Sequence, residues 1–393
     1  MKQSKLTIGI PFYNGEKSIA KTIESVLNQT FVDFELIISD NGSTDNTANI
    51  CLAYAGKDHR IRYLRNENNL GLLFNYDRLL HSAGGEYFAR IQCGDYWAMT
   101  FAEKCIEALD KSPETVLCYT AVNMLDIEGN VLSIHKDVKE LQDSDLFVRY
   151  KAFMWKFDIC NALLGITRTK HSAKSKFFMM GAKDTTGYGH FVLSELIIEG
   201  PFIQLEEPLY FREPPSFLAN KKETFEERHK RYFNILGGWS GYGIILPFCN
   251  WIKKHCEMIK YSEHSPAEKN LLIQMTYQIM GQRYRKSIET ELSRAIHLIL
   301  KGIFKLDFGE EISSPNLAYT YLNASYITKL ISDLEFAFWL IPDFQGIYQA
   351  KATLSYMMGR VDEAEFYACK ELHRNPGFIP SLQLLEQIKR HKK

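Results

Sequence analysis

Residues 5–47 read KLTIGIPFYNGEKSIAKTIESVLNQTFVDFELIISDNGSTDNT, and their spacing decides the fold. Leu6, Ile8 and Ile10 predict a first strand, which Pro11-Phe12-Tyr13-Asn14 ends abruptly. Ile19, Ile23, Val26 and Leu27 then recur at helical spacing. Leu36, Ile37 and Ile38 predict a second strand, ending in Asp40-Asn41-Gly42-Ser43-Thr44-Asp45. Strand, loop, helix, strand is a parallel β-α-β unit. In an open parallel α/β sheet, ligands bind beyond the carboxyl ends of the strands. Both loops lie at that edge, so the pattern also says where chemistry belongs.

The same alternation runs outward from this unit. Further strands are predicted at 61–64, 87–91 and 115–119, with helices at 74–81 and 101–109. Residues 126–219 are more mixed, with a helix near 192–199 and a short strand at 201–205. From about 222 the pattern is helical almost throughout. The expected division is an α/β domain over 1–220, a helical extension over 221–305 and a helical repeat region over 306–393.

That last region carries an internal repeat. Ile341-Pro342-Asp343-Phe344 recurs 34 residues later as Asn375-Pro376-Gly377-Phe378, the period of a tetratricopeptide helix-turn-helix unit. Tyr348 and Ala352 fall on the unit's first helix, Gly359 at its turn, and Ala364 and Leu372 on its second. The preceding unit is weaker, with Ala318, Tyr321 and Ala337 in place and Leu330 where alanine is usual. Each such unit leaves an apolar face for a neighbour, so the region reads as a stabilising cap or as a dock for a peptide or subunit.

Composition excludes some classes of partner. The 393 residues hold 47 basic and 47 acidic side chains, which gives no footprint for nucleic acid. Eight cysteines occur without CxxC spacing, which supports neither a zinc site nor a disulfide framework. Reduced cysteines and no leader-like amino terminus predict a cytoplasmic protein. Residues 232–252 carry no charge but contain four glycines and Pro247. They read as a loop and then a buried helix from Pro247, with peripheral contact at the inner membrane face as the alternative.

The two loops suggest their own chemistry. An aromatic in Pro11-Phe12-Tyr13-Asn14 can lie against a nucleobase, and main-chain N–H groups there can meet phosphate. Asp40 can accept from a base N–H, or can instead form an Asx-turn before the helix at Thr47.

On these residues the chain resembles the family 2 glycosyltransferases, inverting enzymes of the GT-A fold that use nucleotide-diphosphate sugars. The matching text continues with NNLGLLFNYDRLLHSAGGEYFARIQCGDYW, NALLGITR and EGPFIQLEEPLYFRE, and covers about residues 5–215. The resemblance implies a Rossmann-like, mostly parallel sheet. It implies nucleotide contacts at Pro11, Phe12, Tyr13, Asn14, Glu16 and Asp40, and a segment flanking the pyrophosphate at Asn69, Gly71 and Asn75. Asn161, Gly165 and Arg168 resemble an acceptor-side segment of some members.

The family's Asp-x-Asp-Asp cluster reads Gln92-Cys93-Gly94-Asp95 here, so the implied Mn²⁺ or Mg²⁺ is left to Asp95 and the donor's diphosphate. The family's catalytic base falls near Gly189, which leaves Asp184 as the nearest carboxylate and His190 as a second candidate. Glu213 stands where some members carry a metal-binding histidine. The implied reaction moves a sugar, from a UDP-sugar in this reading, to a saccharide, lipid-linked glycan or protein acceptor. The alternative is an impaired nucleotide-binding scaffold that recruits a partner, or a second copy, through residues 306–393.

Overall fold

The computed structural model describes residues 4–156, 161–172, 188–213, 247–285 and 346–392, with isolated positions between 288 and 344. The chain divides into two units, Met1–Lys230 and Arg231–Lys393.

The first unit opens with β1 (Leu6–Phe12), α1 (Ile19–Leu27), β2 (Phe34–Asp40), α2 (Thr47–Ala55), β3 (Ile61–Arg65), α3 (Leu72–Ser82) and β4 (Tyr87–Arg90). Every residue of β1 is buried, because both of its faces are covered. Leu6, Ile8 and Ile10 pack with Ile19, Ile23 and Val26 of α1. On the other face Gly9 lies under Leu79 of α3, where a Cβ would meet the leucine at 3.1 Å. A strand covered on both faces reads as an apolar run.

The chain continues through β5 (Tyr96–Trp97), α4 (Phe101–Lys111), β6 (Leu117–Leu125), β7 (Val131–His135), α5 (Leu146–Lys156), β8 (Ile166–Arg168), α6 (Thr169–Ser172), α7 (Tyr188–Glu199) and β9 (Phe202–Arg212). The sheet order is β3-β2-β1-β4-β8-β6-β9-β5, with β7 paired to β6. The long ladders, β1 with β2 and β4, β2 with β3, and β6 with β9, are parallel. The short ones, β8 with β4 and β6, β5 with β9, and β7 with β6, are antiparallel. The fold is therefore an α/β, mixed but mostly parallel sheet of GT-A type.

Two residues fix β8 as a wedge between β4 and β6. A Cβ on Gly165 would stand 2.5 Å from the Cys118 carbonyl, so only glycine lets the backbones approach. Arg168 clamps the end of α4, its Nε donating to the Thr115 carbonyl at 2.9 Å and its Nη2 to that of Leu109 at 2.7 Å. Because Arg168 pairs with Tyr87, it sits at the amino-terminal end of β4, the sheet edge opposite the strand-end loops.

The position of β7 follows from strand edges. One edge of β6 is paired with β9 over 117–124, so β8 at Leu117–Cys118 and β7 at Val122–Leu125 share the other edge. β6 runs parallel to β4, and Cys118 and Ala89 meet the same residue of β8, Ile166. β7 therefore lies beyond the carboxyl end of β4.

In the second unit, α8 (Pro247–Tyr261) and α9 (Pro266–Arg283) are separated by a capping box of Ser265 and Glu268. Then α10 (Ile347–Met357), α11 (Val361–Arg374) and α12 (Ile379–His391) form successive hairpins. Ala352, Ala364 and Ala368 are fully buried between them with Leu384 and Ile388. Gly359 supplies the φ of +73° that the first turn needs. The earlier repeat unit, at Ala318, Tyr321, Leu330 and Ala337, lies outside the described residues. Among the described residues no helix is long and apolar enough to cross a membrane.

Candidate functional site

The loops leaving β1, β2, β3 and β4 gather at one edge of the sheet. Register sets Phe12 beside Asp40. The 11–16 and 40–47 loops are then laced together. The Asn41 N–H donates to the Phe12 carbonyl at 3.0 Å. The Asn14 N–H donates to Ser43 Oγ at 2.9 Å, and Asn14 Oδ1 accepts from the Thr44 N–H at 2.8 Å. The Gly15 N–H donates to Thr47 Oγ1, and the Glu16 N–H to Asp45 Oδ2. Glu16 Oε2 accepts from the Asn46 N–H at 3.0 Å. Asn14 adopts φ +55°, a left-handed conformation asparagine tolerates better than most residues. Pro11 and Phe12 are buried, whereas Tyr13 stands out at the rim.

Asp40 is fully buried at the base of this pair of loops. Its Oδ1 accepts from the Ser43 N–H at 2.7 Å, a local bond three residues on, one residue longer than the Asx-turn expected as an alternative. Its Oδ2 accepts from the Tyr63 hydroxyl at 2.6 Å, and Arg65 Nε lies 3.7 Å away. A carboxylate has about four acceptor positions, so these partners leave capacity for a further donor. Burial and the bond to Asp40 push the Tyr63 hydroxyl up from its ordinary range.

The 66–71 loop is organised by Asn41. Its Nδ2 donates to Asn69 Oδ1 at 2.8 Å and to the Gly71 carbonyl, and its Oδ1 accepts from Asn66 Nδ2 and the Leu70 N–H. Gly42, at φ +77°, passes so close that a Cβ would lie 2.8 Å from the Asn68 backbone. Asn69 and Gly71 are exposed, but Asn75 is buried and bonded to Ser39 through both ends of its amide.

The loop after β4 brings in Asp95, also buried. Its Oδ2 accepts from the Tyr210 hydroxyl at 2.8 Å and its Oδ1 from the Glu213 N–H at 3.1 Å. Burial pushes this carboxyl up to about 7, against the opposing pull of Arg212 and the Tyr210 hydroxyl. Glu213 Oε1 is paired with Lys21 Nζ of α1 at 2.9 Å, and that ammonium lies over the Tyr96 ring. Cys93 is packed against Gly15, where a Cβ would come 2.7 Å from the sulfur. Burial raises its thiol, so it behaves as a filler between loops.

For a divalent cation the oxygen donors at this place are Asp95 and the neighbouring Glu213. Among the described residues no three His, Cys, Asp or Glu side chains come together as a metal-holding group. A cation held at Asp95 and Glu213 would have to take most of its oxygens from a bound diphosphate.

The two candidate bases fare differently. Asp184 lies outside the described residues. His190 sits in the first turn of α7, buried, with its ring 4.7 Å from that of Phe153 and its Nδ1 3.3 Å from Ser194 Oγ. Sequence reasoning did not single out Lys21, Tyr63 or Tyr210. Tyr63 was reachable, since a strand was expected beside β2. Lys21 was not, because its partner lies 192 residues away.

Residues 7–156 match the model of Glycosyl transferase family 2. Glycosyltransferase GlyG of Streptococcus pneumoniae is 24% identical over 280 residues, covering 67% of this chain and 92% of that protein. Chondroitin synthase of Escherichia coli is 31% identical over 33% of this chain but only 18% of its own length. Among solved structures, S. aureus TarS 1–349 in complex with UDP-GlcNAc has a similar fold, with a TM-score of 0.52 at 15% identity. That likeness covers 95% of this chain and 92% of TarS 1–349. The amino-terminal unit therefore carries, over residues 7–156, a domain of glycosyltransferase family 2, an inverting family of nucleotide-sugar-dependent enzymes.

Proposed function

We infer that the chain transfers a sugar from a UDP-sugar to a hydroxyl acceptor, with inversion. The observation that carries this reading is the lacing of the 11–16 and 40–47 loops over buried Asp40, at the carboxyl ends of adjacent parallel strands. Tyr13 would cover the base, and Asp40, fully covered in this structure, would take a base N–H once the loops over it part. Asn69 and Gly71 lie on the loop expected beside the pyrophosphate. That TarS binds UDP-GlcNAc supports a uridine nucleotide.

Inversion needs an acceptor oxygen in line with the anomeric carbon, a base for its proton, and stabilisation of the departing diphosphate. Asp95 and Glu213 would hold Mn²⁺ or Mg²⁺, which supplies positive charge to the leaving group. Lys21, paired with Glu213, and Arg212, whose charge acts on Asp95, are the protein cations beside these carboxylates. Asp184 is the proposed base. Residues 306–393 are proposed as the tetratricopeptide-like dock for a partner or a second copy.

Thermal-shift screening of nucleotides and nucleotide sugars, with and without Mn²⁺, tests the reading. UDP and one or more UDP-sugars should stabilise the protein, more strongly with Mn²⁺. Stabilisation by no nucleotide, or by guanosine and thymidine diphosphates alone, would sink the UDP-sugar assignment.

A further inference from the structure

One turn of α1 both supports the 92–95 loop and sets a cation beside it. Thr22 Oγ1 donates to the Asp95 carbonyl at 2.9 Å and accepts from the Gly94 N–H at 3.0 Å. Lys21, the next residue back along the helix, is therefore placed at this loop by contact. Within the loop Gly94 takes φ +104°, which L side chains rarely adopt, so a carboxylate at 94 would strain the turn. Glu213, just past β9, covers that place from outside. A Cβ on Gly94 would lie 3.4 Å from Glu213 Oε2, and Glu213 Oε1 holds the Lys21 ammonium at 2.9 Å. Lys21 and Glu213 are also the charges that a ligand can reach. Asp95 is buried, with one oxygen bonded to Tyr210 and the other to the Glu213 N–H, and Arg212 acts on that buried carboxyl. The Lys21 and Glu213 side chains are instead 47% and 40% exposed, and an exposed pair of this kind holds weakly.

We propose that Lys21 is a donor-binding residue, whose ammonium leaves Glu213 and pairs with the diphosphate of the bound nucleotide. The proposal rests on the nucleotide-sugar reading above and names the protein group that meets the phosphates. A diphosphate brings more negative charge and more acceptor oxygens than the single carboxylate it displaces, and lysine meets phosphate as a point charge. The four-carbon stem lets the ammonium change partners, while the Tyr96 ring, with its centroid 4.0 Å away, keeps it at the rim. The exchange has two consequences. Nucleoside diphosphate binds without a metal ion, because the protein supplies a cation of its own. Glu213 is freed for a divalent cation only when the nucleotide has drawn Lys21 away, so the two ligands favour one another.

Calorimetry of the full chain in EDTA, with UDP and with uridine, tests this. Wild type should bind UDP at least about tenfold more tightly than uridine. Lys21→Met should lose about tenfold for UDP and keep its uridine affinity within about twofold, a split that a folding defect would not give. Lys21→Arg should recover most of the loss, since it restores the charge. Glu213→Gln, which releases the ammonium, should bind UDP in EDTA at least as tightly as wild type. Lys21→Met that binds UDP as tightly as wild type overturns the proposal, as does an equal loss of UDP and uridine. Wild type that binds uridine but gains nothing from the diphosphate overturns it too. Failure to bind either compound would instead count against the nucleotide-sugar reading beneath it.

Discussion

Asn75 closes on Ser39 with both ends of its amide: Ser39 Oγ donates to Asn75 Oδ1 at 2.6 Å, and Asn75 Nδ2 donates to the Ser39 carbonyl at 2.9 Å. Both residues are buried, and the pair ties α3 to the strand that carries Asp40. Asn75→Ala leaves a buried carbonyl and hydroxyl without partners, which costs about 2 kcal/mol. Urea denaturation should show that loss. UDP affinity of the folded variant should change less than about threefold, well under the tenfold that 1.4 kcal/mol would give, because the amide faces inward.

Asp95 offers a contrasting case. Its carboxylate is the acidic group left in the 92–95 loop, held by the Tyr210 hydroxyl and the Glu213 N–H, and the proposed function has it meet the donor's diphosphate. Asp95→Ala should lower donor hydrolysis or transfer by about a hundredfold or more. UDP should bind the variant with little dependence on Mn²⁺ in calorimetry. A variant as active as wild type would remove Asp95 from the site.

Arg168 separates structural from functional roles. Its guanidinium satisfies the Leu109, Ser112 and Thr115 carbonyls and meets the Tyr87 hydroxyl. Arg168→Met keeps the length of the side chain but orphans these carbonyls, so stability should fall by about 3 kcal/mol in chemical denaturation. Nucleotide affinity should stay unchanged, since the residue lies at the opposite sheet edge from Asp40.

Asp137 predicts a pH dependence. Burial raises its carboxyl from 3.8 to about 6, although the neighbouring Tyr119 hydroxyl works against the shift. Between these values the folded state holds a proton that the unfolded state has released. Its contribution is therefore complete below about pH 4 and lost as pH rises through about 6. The size is on the order of 3 kcal/mol. Melting midpoints from pH 4 to 8 should show wild type losing stability relative to Asp137→Asn. Parallel curves would count against the assignment.

The first half of the fold was legible because each strand there is announced by its own residues. Ile8, Leu36, Ile61 and Tyr87 sit in runs that local spacing identifies, and β-α-β units pair neighbours in sequence. The antiparallel insertions were not legible. β8 is three residues long, and what fixes it is the approach of Gly165 to Cys118, a relation between distant positions. β7 has aliphatic residues on both faces without burial, so no periodicity marks it. In the site, Asp40 and Asp95 were visible because they end strand-and-loop patterns. Arg168 was placed on the acceptor side by resemblance, whereas its partners at 87, 109, 112 and 115 are set by packing.

Lys21 and Glu213, with Tyr210 and Asp95, make a resting state in which each group has a protein partner, even though burial still raises the Asp95 carboxyl. Each carboxylate at the edge already has a donor or a cation from the protein itself. An empty pocket of bare, opposed acids would strain against itself and lean on metal to fold. This one has no such debt, so loading and folding should be separable events. Protein stripped with EDTA should keep the melting midpoint of untreated protein to within about one degree and respond to Mn²⁺ chiefly when UDP is also present.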